Sequence, residues 1–354
     1  MTPAFLFFLR NFNDIDQTAP LLFRLVERGC KIRVVCLSNY DLQGDKRIQA
    51  LNAHKEFKII FPTIASYFHH DSAGFLRRVF KRVIFGHLLA LFMVRTYAVD
   101  GCVHTWCDPW HKGFQTKVFS IARRFGIPNI CLPHGQNIFV NFNVNGYLTE
   151  YHQKHGQWPD FSPRNAFDFY IVQTQHHRDG QVAWGMKPEK VIVLGSMRYS
   201  PTWIQRHRDL CLPYEKFLLH GRDTIKIVFF VPHWHYNVDV DSSVDLIKRI
   251  GALEKVVFAV RAHTRGDDLA DDVKEALGRY RNIDLDVQAP SSSLIAWADI
   301  VINFGSSIGL EAIVDHKFVI NPLFLHNNHT VFDDSGAVYD ARTAEEVTSL
   351  IDKI

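Results

Sequence analysis

Short apolar runs that alternate with helical patterns constrain this chain more than any other feature. Residues 4–9, 32–37, 57–61, 101–105, 129–132, 169–173 and 191–194 are rich in Val, Ile, Phe and Leu and read as buried strands. Between the first two runs, residues 18–29 repeat apolar positions at helical spacing and stop at Gly29; residues 117–126 do the same before Ile127-Pro128. Strands alternating with helices build βαβ units, and therefore a parallel sheet. The pattern restarts at 225–231 and continues through 256–260, 283–287, 300–302 and 318–320, with helical stretches at 243–250 and 269–281. Between the halves lies 199–224, irregular, charged and carrying two Pro. The expected organisation is two doubly wound, Rossmann-like α/β domains, 1–200 and 225–354, joined by a linker at 201–224 and facing a central cleft.

A length of 354 residues suits two cores better than one. With 47% hydrophobic and 22% charged residues the chain has no disordered signature, and a net charge of +3 is too small to argue for nucleic acid. The six Cys, at 30, 36, 102, 107, 131 and 211, form no CxxC pair; most sit in apolar runs and read as reduced core thiols, which favours the cytoplasm. The apolar start is followed by Arg10-Asn11-Phe12-Asn13-Asp14 rather than a cleavage site, so it reads as a first strand. The longest apolar stretch, 88–94 with its flanks, is shorter than the ~20 residues a membrane span needs. Residues 75–85 interleave four cations with large apolar side chains. On a helix they would set a basic face beside an aromatic one, suited to anionic headgroups at the inner face of the cytoplasmic membrane. A core helix with a solvated basic flank is the other reading.

In an open α/β sheet, ligands bind outside the carboxyl ends of the strands. Two segments of the second half occupy such ends: Arg261-Ala262-His263-Thr264-Arg265 and Gly305-Ser306-Ser307-Ile308-Gly309-Leu310-Glu311. His263 with Arg261 or Arg265 suits phosphate charge, Ser306 and Ser307 suit phosphate oxygens, and Glu311 suits ribose or sugar hydroxyls. Capping by the Ser pair, with Glu311 as a first-turn dipole partner, is the plainer alternative and is compatible with the first. His233, in Pro232-His233-Trp234-His235-Tyr236, reads as a polar lip over the donor base, because no third metal ligand has telling spacing. No metal site is expected. The strings Asp14-x-Asp16, Asp239-x-Asp241 and Asp284-x-Asp286 are of a kind that an Asp-rich chain makes by chance; Asp14 and Asp16 remain cleft candidates because they follow the first strand, with a solvated place at a helix entry as the preferred reading.

In the first half, His134 follows the strand at 129–132. An imidazole titrates near neutrality and so suits a general base; a structural hydrogen bonder at a strand end is the alternative. In Trp106-Cys107-Asp108-Pro109-Trp110, Asp108 would orient His134 or bind an acceptor hydroxyl, or else cap a turn before Pro109. Trp106 and Trp110 would stack on sugar.

Leu132-Pro133-His134-Gly135-Gln136, Val193-Leu194-Gly195-Ser196-Met197-Arg198-Tyr199, the Arg-Ala-His-Thr-Arg segment and the Gly-Ser-Ser segment together resemble bacterial surface-carbohydrate transferases of GT-B fold. The resemblance is to the CDP-glycerol glycerophosphotransferase type and to the CMP-sugar-using Kdo and sialic acid transferases of capsule and lipopolysaccharide synthesis. It spans roughly 130–315. It implies His134 as base, Arg198 as a substrate contact leading into the donor domain, and His263 with Ser306-Ser307 as holders of the nucleotide. The departures are His263-Thr264 in place of His-Pro, and His134-Gly135 where the sialyltransferase type carries an acidic-acidic-Gly element.

The expected function is thus transfer of a sugar from a CMP- or CDP-activated donor to a glycan or lipid-linked acceptor, with the nucleotide sugar as co-substrate and no further cofactor. Three alternatives stand beside it: a UDP-sugar hexosyltransferase, a sugar-nucleotide 2-epimerase and a non-catalytic carbohydrate-binding assembly subunit. Non-hydrolysing epimerases carry an early Gly-Thr-Arg-Pro-Glu string where this chain has Leu9-Arg10-Asn11-Phe12-Asn13, which counts against that reading.

Overall fold

Strand β1 (Ala4–Leu9) sits inside a seven-stranded sheet with β2 (Lys31–Cys36) on one side and β4 (Gly101–Thr105) on the other. A computed structural model describes residues 2–64, 84–97, 100–106, 113–140, 146–217, 223–232, 234, 237–262, 270–285 and 287–354. These fall into two units, Met1–Gln136 with Trp158–Arg198, and Asn137–Gln157 with Tyr199–Ile354. In unit 1 the order is β3-β2-β1-β4-β5-β6-β7, where β3 is Phe57–Phe61, β5 Asn129–Leu132, β6 Phe169–Val172 and β7 Val191–Val193; every pair is parallel. In unit 2 the parallel order is β10-β9-β8-β11-β12-β13: β8 Ile225–Phe230, β9 Val256–Arg261, β10 Ile283–Asp284, β11 Ile300–Asn303, β12 Phe318–Pro322 and β13 Tyr339–Ala341. Both are doubly wound and Rossmann-like, the make-up of GT-B proteins. Each sheet reverses its winding beside its own first strand, between β1 and β4 and between β8 and β11, so each has a switch point there.

The sheets are buried on both faces, which is why their strands read as continuous apolar runs. In β1, Leu6 and Phe8 pack with Ala90, Met93 and Val94 of helix α3 (Gly86–Thr96) and with Val118 and Ile121 of α4 (Phe114–Arg124). In β8, Ile227 and Phe229 meet Leu246, Ile247 and Ile250 of α8 (Val240–Gly251), while Val228 and Phe230 meet Leu294 and Ile295 of α10 (Ser291–Trp297). This is the period-two alternation of a strand read against two helical layers. His104 of β4 is fully buried between Asn129 Oδ1 (3.0 Å) and Gln115 Nε2 (2.9 Å) and stacks on Phe8.

Four features differ from the sequence expectation. Helix α1 (Phe12–Glu27) begins well before residue 18, because Asn11 caps it by accepting from the backbone of Asn13 and Asp14, and it runs through Pro20. Residues 201–217, expected as linker, belong to unit 2: α7 (Pro201–Asp209) packs on α10, Ser293 Oγ donates to the Leu212 carbonyl at 2.7 Å, and Tyr214 donates to Asp284 at 2.6 Å. Residues 137–140 also join unit 2, since Phe139 bridges Thr330 and Val140 donates to the His329 carbonyl. Strand β13 is only three residues long and has no apolar run to announce it. Cys30, Cys36, Cys102 and Cys211 are free thiols; Cys107 lies outside the described residues. Among the described residues no helix is long and apolar enough to cross a membrane.

Candidate active site

In unit 1 the switch point is organised around Asp14. The chain leaves β1 at Leu9 and turns at once into α1, which sets Asp14 in the helix's first turn with its side chain fully buried. His134 lies two residues beyond β5, and its Nδ1 is 2.5 Å from Asp14 Oδ1. Asp14 Oδ2 accepts from the backbone N–H of Arg10 at 2.7 Å and from its Nε at 3.3 Å. Arg10 Nη2 donates to the Thr105 carbonyl at the end of β4. One carboxylate thereby ties together the carboxyl ends of β1, β4 and β5.

Burial alone would raise the Asp14 carboxyl, but the hydrogen bond from His134 and the charge of Arg10 outweigh it and hold it below the usual range. The carboxylate therefore accepts from Nδ1–H, which leaves the lone pair of His134 on Nε2. The Asn13 amide, 3.5 Å from Nε2, faces that lone pair as a weak donor. The imidazole is 28% exposed, against none for Asp14. An oriented, partly open imidazole backed by a buried carboxylate is the arrangement a general base requires.

Trp106 follows β4 and is 46% exposed. Its N–H donates to the Leu132 carbonyl at 3.0 Å, extending the β4–β5 ladder and placing it on the strand end next to His134. Its φ of +37° is costly for a large side chain, and such strain concentrates at functional sites. The Arg164 guanidinium lies 4.9 Å from its ring centre and 3.6 Å from that of Phe161, while Arg164 Nη1 donates to Tyr170 Oη and Gln181 Oε1. A buried cation thus props the tryptophan ring from beneath.

Asp16 was expected in solvent and is instead 7% exposed, because it accepts from two guanidinium groups, Arg47 and Arg198, each at 2.8 Å. Arg47 pairs further with Asp45 at 2.7 Å. Arg198, expected at the substrate, is anchored in this buried network with its side chain 14% exposed.

In unit 2 the candidate residues again mark strand ends. Register places Arg261, Phe230 and Asn303 in a row across β9, β8 and β11, so Arg261 and Asn303 lie about 10 Å apart. Arg261 donates from Nη1 to the Val287 carbonyl, and its buried Nε has no hydrogen-bond partner among the described residues. Asn303 Nδ2 donates to the Ser306 carbonyl at 2.9 Å and fixes the turn that Gly305 makes at φ +67°. Helix α11 (Ile308–Val314) packs so closely there that a Cβ on Gly309 would lie 2.7 Å from Asn303 Nδ2. Ser307 holds the N-cap position with a helical φ of −67° and makes no side-chain cap bond; Ser306 Oγ accepts only a long bond, 3.4 Å, from the Ile308 N–H. Capping therefore makes little use of these hydroxyls. Glu311 is 5% exposed, inside the first turn of α11. His326 stacks on Phe304 at 5.2 Å, just before the Gly-Ser-Ser turn.

The carboxylate on His134 Nδ1 is Asp14; Asp108, expected in that role, lies outside the described residues, as do Trp110, His233, His263 and Arg265. Asp239 caps α8 and Asp284 pairs with Tyr214 and Lys216. No group of three His, Cys, Asp or Glu among the described residues is placed to hold a metal. Arg10 and Arg164 had no signal in the sequence, and Asp14 was a cleft candidate for which a solvated place was preferred. For Asp14 a signal existed, since it follows the first strand, but only the strand order brings it to His134.

No protein-family profile and no curated protein matches the chain. Solved structures do match over nearly its whole length. The UDP-GlcNAc 2-epimerase of Neisseria meningitidis, bound to UDP-GlcNAc, is 12% identical with a TM-score of 0.61, covering 98% of this chain and 91% of its own. The epimerase of Methanocaldococcus jannaschii is 11% identical with a TM-score of 0.63, covering 99% and 92%. The glycosyltransferase of kitacinnamycin is 10% identical with a TM-score of 0.53, covering 99% and 90%. The likeness is one of fold.

Proposed function

We propose that the protein transfers a sugar or related group from a pyrimidine-nucleotide-activated donor to an acceptor hydroxyl in bacterial surface-polysaccharide synthesis, with His134 as base. The observation that carries this is the buried Asp14 carboxylate on His134 Nδ1. His134 Nε2 takes the acceptor proton as the acceptor oxygen bonds the transferred centre, and the nucleotide departs with the electron pair of the broken bond. Asp14 fixes the tautomer and offsets the imidazolium charge that forms. Trp106 offers its ring to the acceptor. The phosphates belong to Ser306, Ser307 and Arg261 of unit 2, with His263 and Arg265, which follow Arg261 in the sequence, as further candidates, and with Glu311 toward ribose or sugar. Cytidine follows from the motif resemblance and uridine from the ligands of the fold neighbours; pyrimidine is what they share.

Calorimetric titration with CMP, CDP, UDP and GDP tests the donor side. A pyrimidine nucleotide should bind, and a Ser306→Ala/Ser307→Ala variant should bind it about tenfold or more weakly, as two lost hydrogen bonds of about 1 kcal/mol each imply. A preference for GDP would contradict the reading.

A second reading, 2-epimerisation of a sugar nucleotide, is favoured by the neighbours' fold. It breaks a C2–H bond and needs no acceptor. Deuterium appearing at C2 in heavy water, with donor alone, would select it over transfer.

A further inference from the structure

Helix α3 of unit 1 has two apolar faces, and the core uses only one. Gly86, Ala90, Met93 and Val94 point into the sheet, where the last three join the core. On the opposite side of the helix, at the spacing of successive turns, stand Phe85 (42% exposed), Leu88 (57%) and Phe92 (55%), with Ile84 (49%) just before it. Phe125, at the end of the neighbouring α4, is 46% exposed, and Arg95 at the end of α3 lies 5.2 Å from its ring centre. Large apolar side chains gathered on one patch mark an interaction surface.

The charge that α3 and its neighbour α4 carry has a single sign. Between residues 84 and 97 the sequence has Arg95 and no Asp or Glu; Arg77, Arg78, Lys81 and Arg82 of the basic stretch lie outside the described residues. Residues 113–128, which hold α4, likewise have Lys117, Arg123 and Arg124 and no carboxylate; Arg123 and Arg124 are exposed beside Phe125. A second copy of such a surface would be repelled by it. An anionic lipid surface complements it on both counts, taking the apolar stripe among the acyl chains and the cations at the headgroups.

We propose that the outer face of α3, with Phe125 and the flanking arginines, docks unit 1 on an anionic membrane surface. The helix lies in the interface with Phe85, Leu88 and Phe92 inserted, and Arg95, Arg123 and Arg124 level with the phosphates. This contact is independent of the chemistry at His134.

The test is co-sedimentation of the full chain with vesicles of phosphatidylcholine alone and of phosphatidylcholine with phosphatidylglycerol. Binding is expected only to the anionic vesicles, to fall with added salt, and to weaken at least tenfold in Leu88→Glu/Phe92→Glu. Arg123→Gln/Arg124→Gln should weaken it less and remove part of the salt dependence. Both pairs are exposed, so thermal unfolding should stay that of the wild type, which separates lost docking from lost fold. Wild-type protein that leaves anionic vesicles unbound overturns the proposal. So does a Leu88→Glu/Phe92→Glu variant that sediments like wild type, or an oligomer in solution that this variant dissolves.

Discussion

Asp16 shows how far a single residue departs from its sequence appearance. Beside Asp14 it looks like one more acid at a helix start, yet it neutralises two guanidinium groups, the buried Arg47 of α2 (Lys46–Asn52) and the partly buried Arg198 at the end of unit 1. Asp16→Ala would leave those cations short of their shared counter-charge, and removing one member of a buried pair typically costs about 3–5 kcal/mol. Urea unfolding should therefore show a loss of that order, with a milder effect for Asp16→Asn. His104 carries a pH dependence. Burial lowers its pKa to about 4, from 6.5. Because the unfolded chain takes the proton first, stability is full above about pH 6.5 and declines as pH falls toward about 4, by about 3 kcal/mol. A His104→Gln variant, with nothing to protonate, should lose that part of the acid slope in unfolding midpoints measured across this window.

At the scale of elements, the strands were legible and the site was only half so. Runs such as 4–9, 57–61, 101–105 and 129–132 coincide with β1, β3, β4 and β5, since strands buried on both faces must be apolar throughout. Short edge strands such as β13 escape, because they have little to bury. His134 and the Gly-Ser-Ser turn stand out in the sequence because they follow predicted strands, and the ends of parallel strands are where ligands bind. The pairing of Asp14 with His134 was not legible, because which strands become neighbours is a property of the sheet, not of any local window. The turn after β11 gives an element-level prediction. Gly309→Ala puts a methyl against Asn303 Nδ2 at 2.7 Å and the Phe332 ring at 3.1 Å, so the Asn303 bond to Ser306 must give way. Overpacking of this kind costs about 1–3 kcal/mol. Nucleotide binding should fall along with stability, and calorimetry on the folded variant would show an intact site if the turn were irrelevant.

The whole molecule repeats one solution. Each unit winds outward from its first strand in both directions, and each places its chemistry-bearing residues at the carboxyl edge beside the reversal. Unit 1 offers an oriented imidazole, and unit 2 offers hydroxyls and a guanidinium suited to phosphate. The order of secondary structure announced both sheets, but not that 137–157 leaves the first unit to join the second, because the pairing of Phe139 with Thr330 joins residues far apart in sequence. In the proposed reaction His134, held by Asp14, removes the acceptor proton. The most direct measurement is nucleotide release from CMP-, CDP- and UDP-activated donors, with and without a surface-glycan acceptor, in wild type, His134→Ala and Asp14→Asn. Acceptor-dependent release should fall by about 10²–10⁴-fold in His134→Ala, less in Asp14→Asn, with donor affinity unchanged in both. Acceptor-dependent release at the wild-type rate in His134→Ala would contradict His134 as the base.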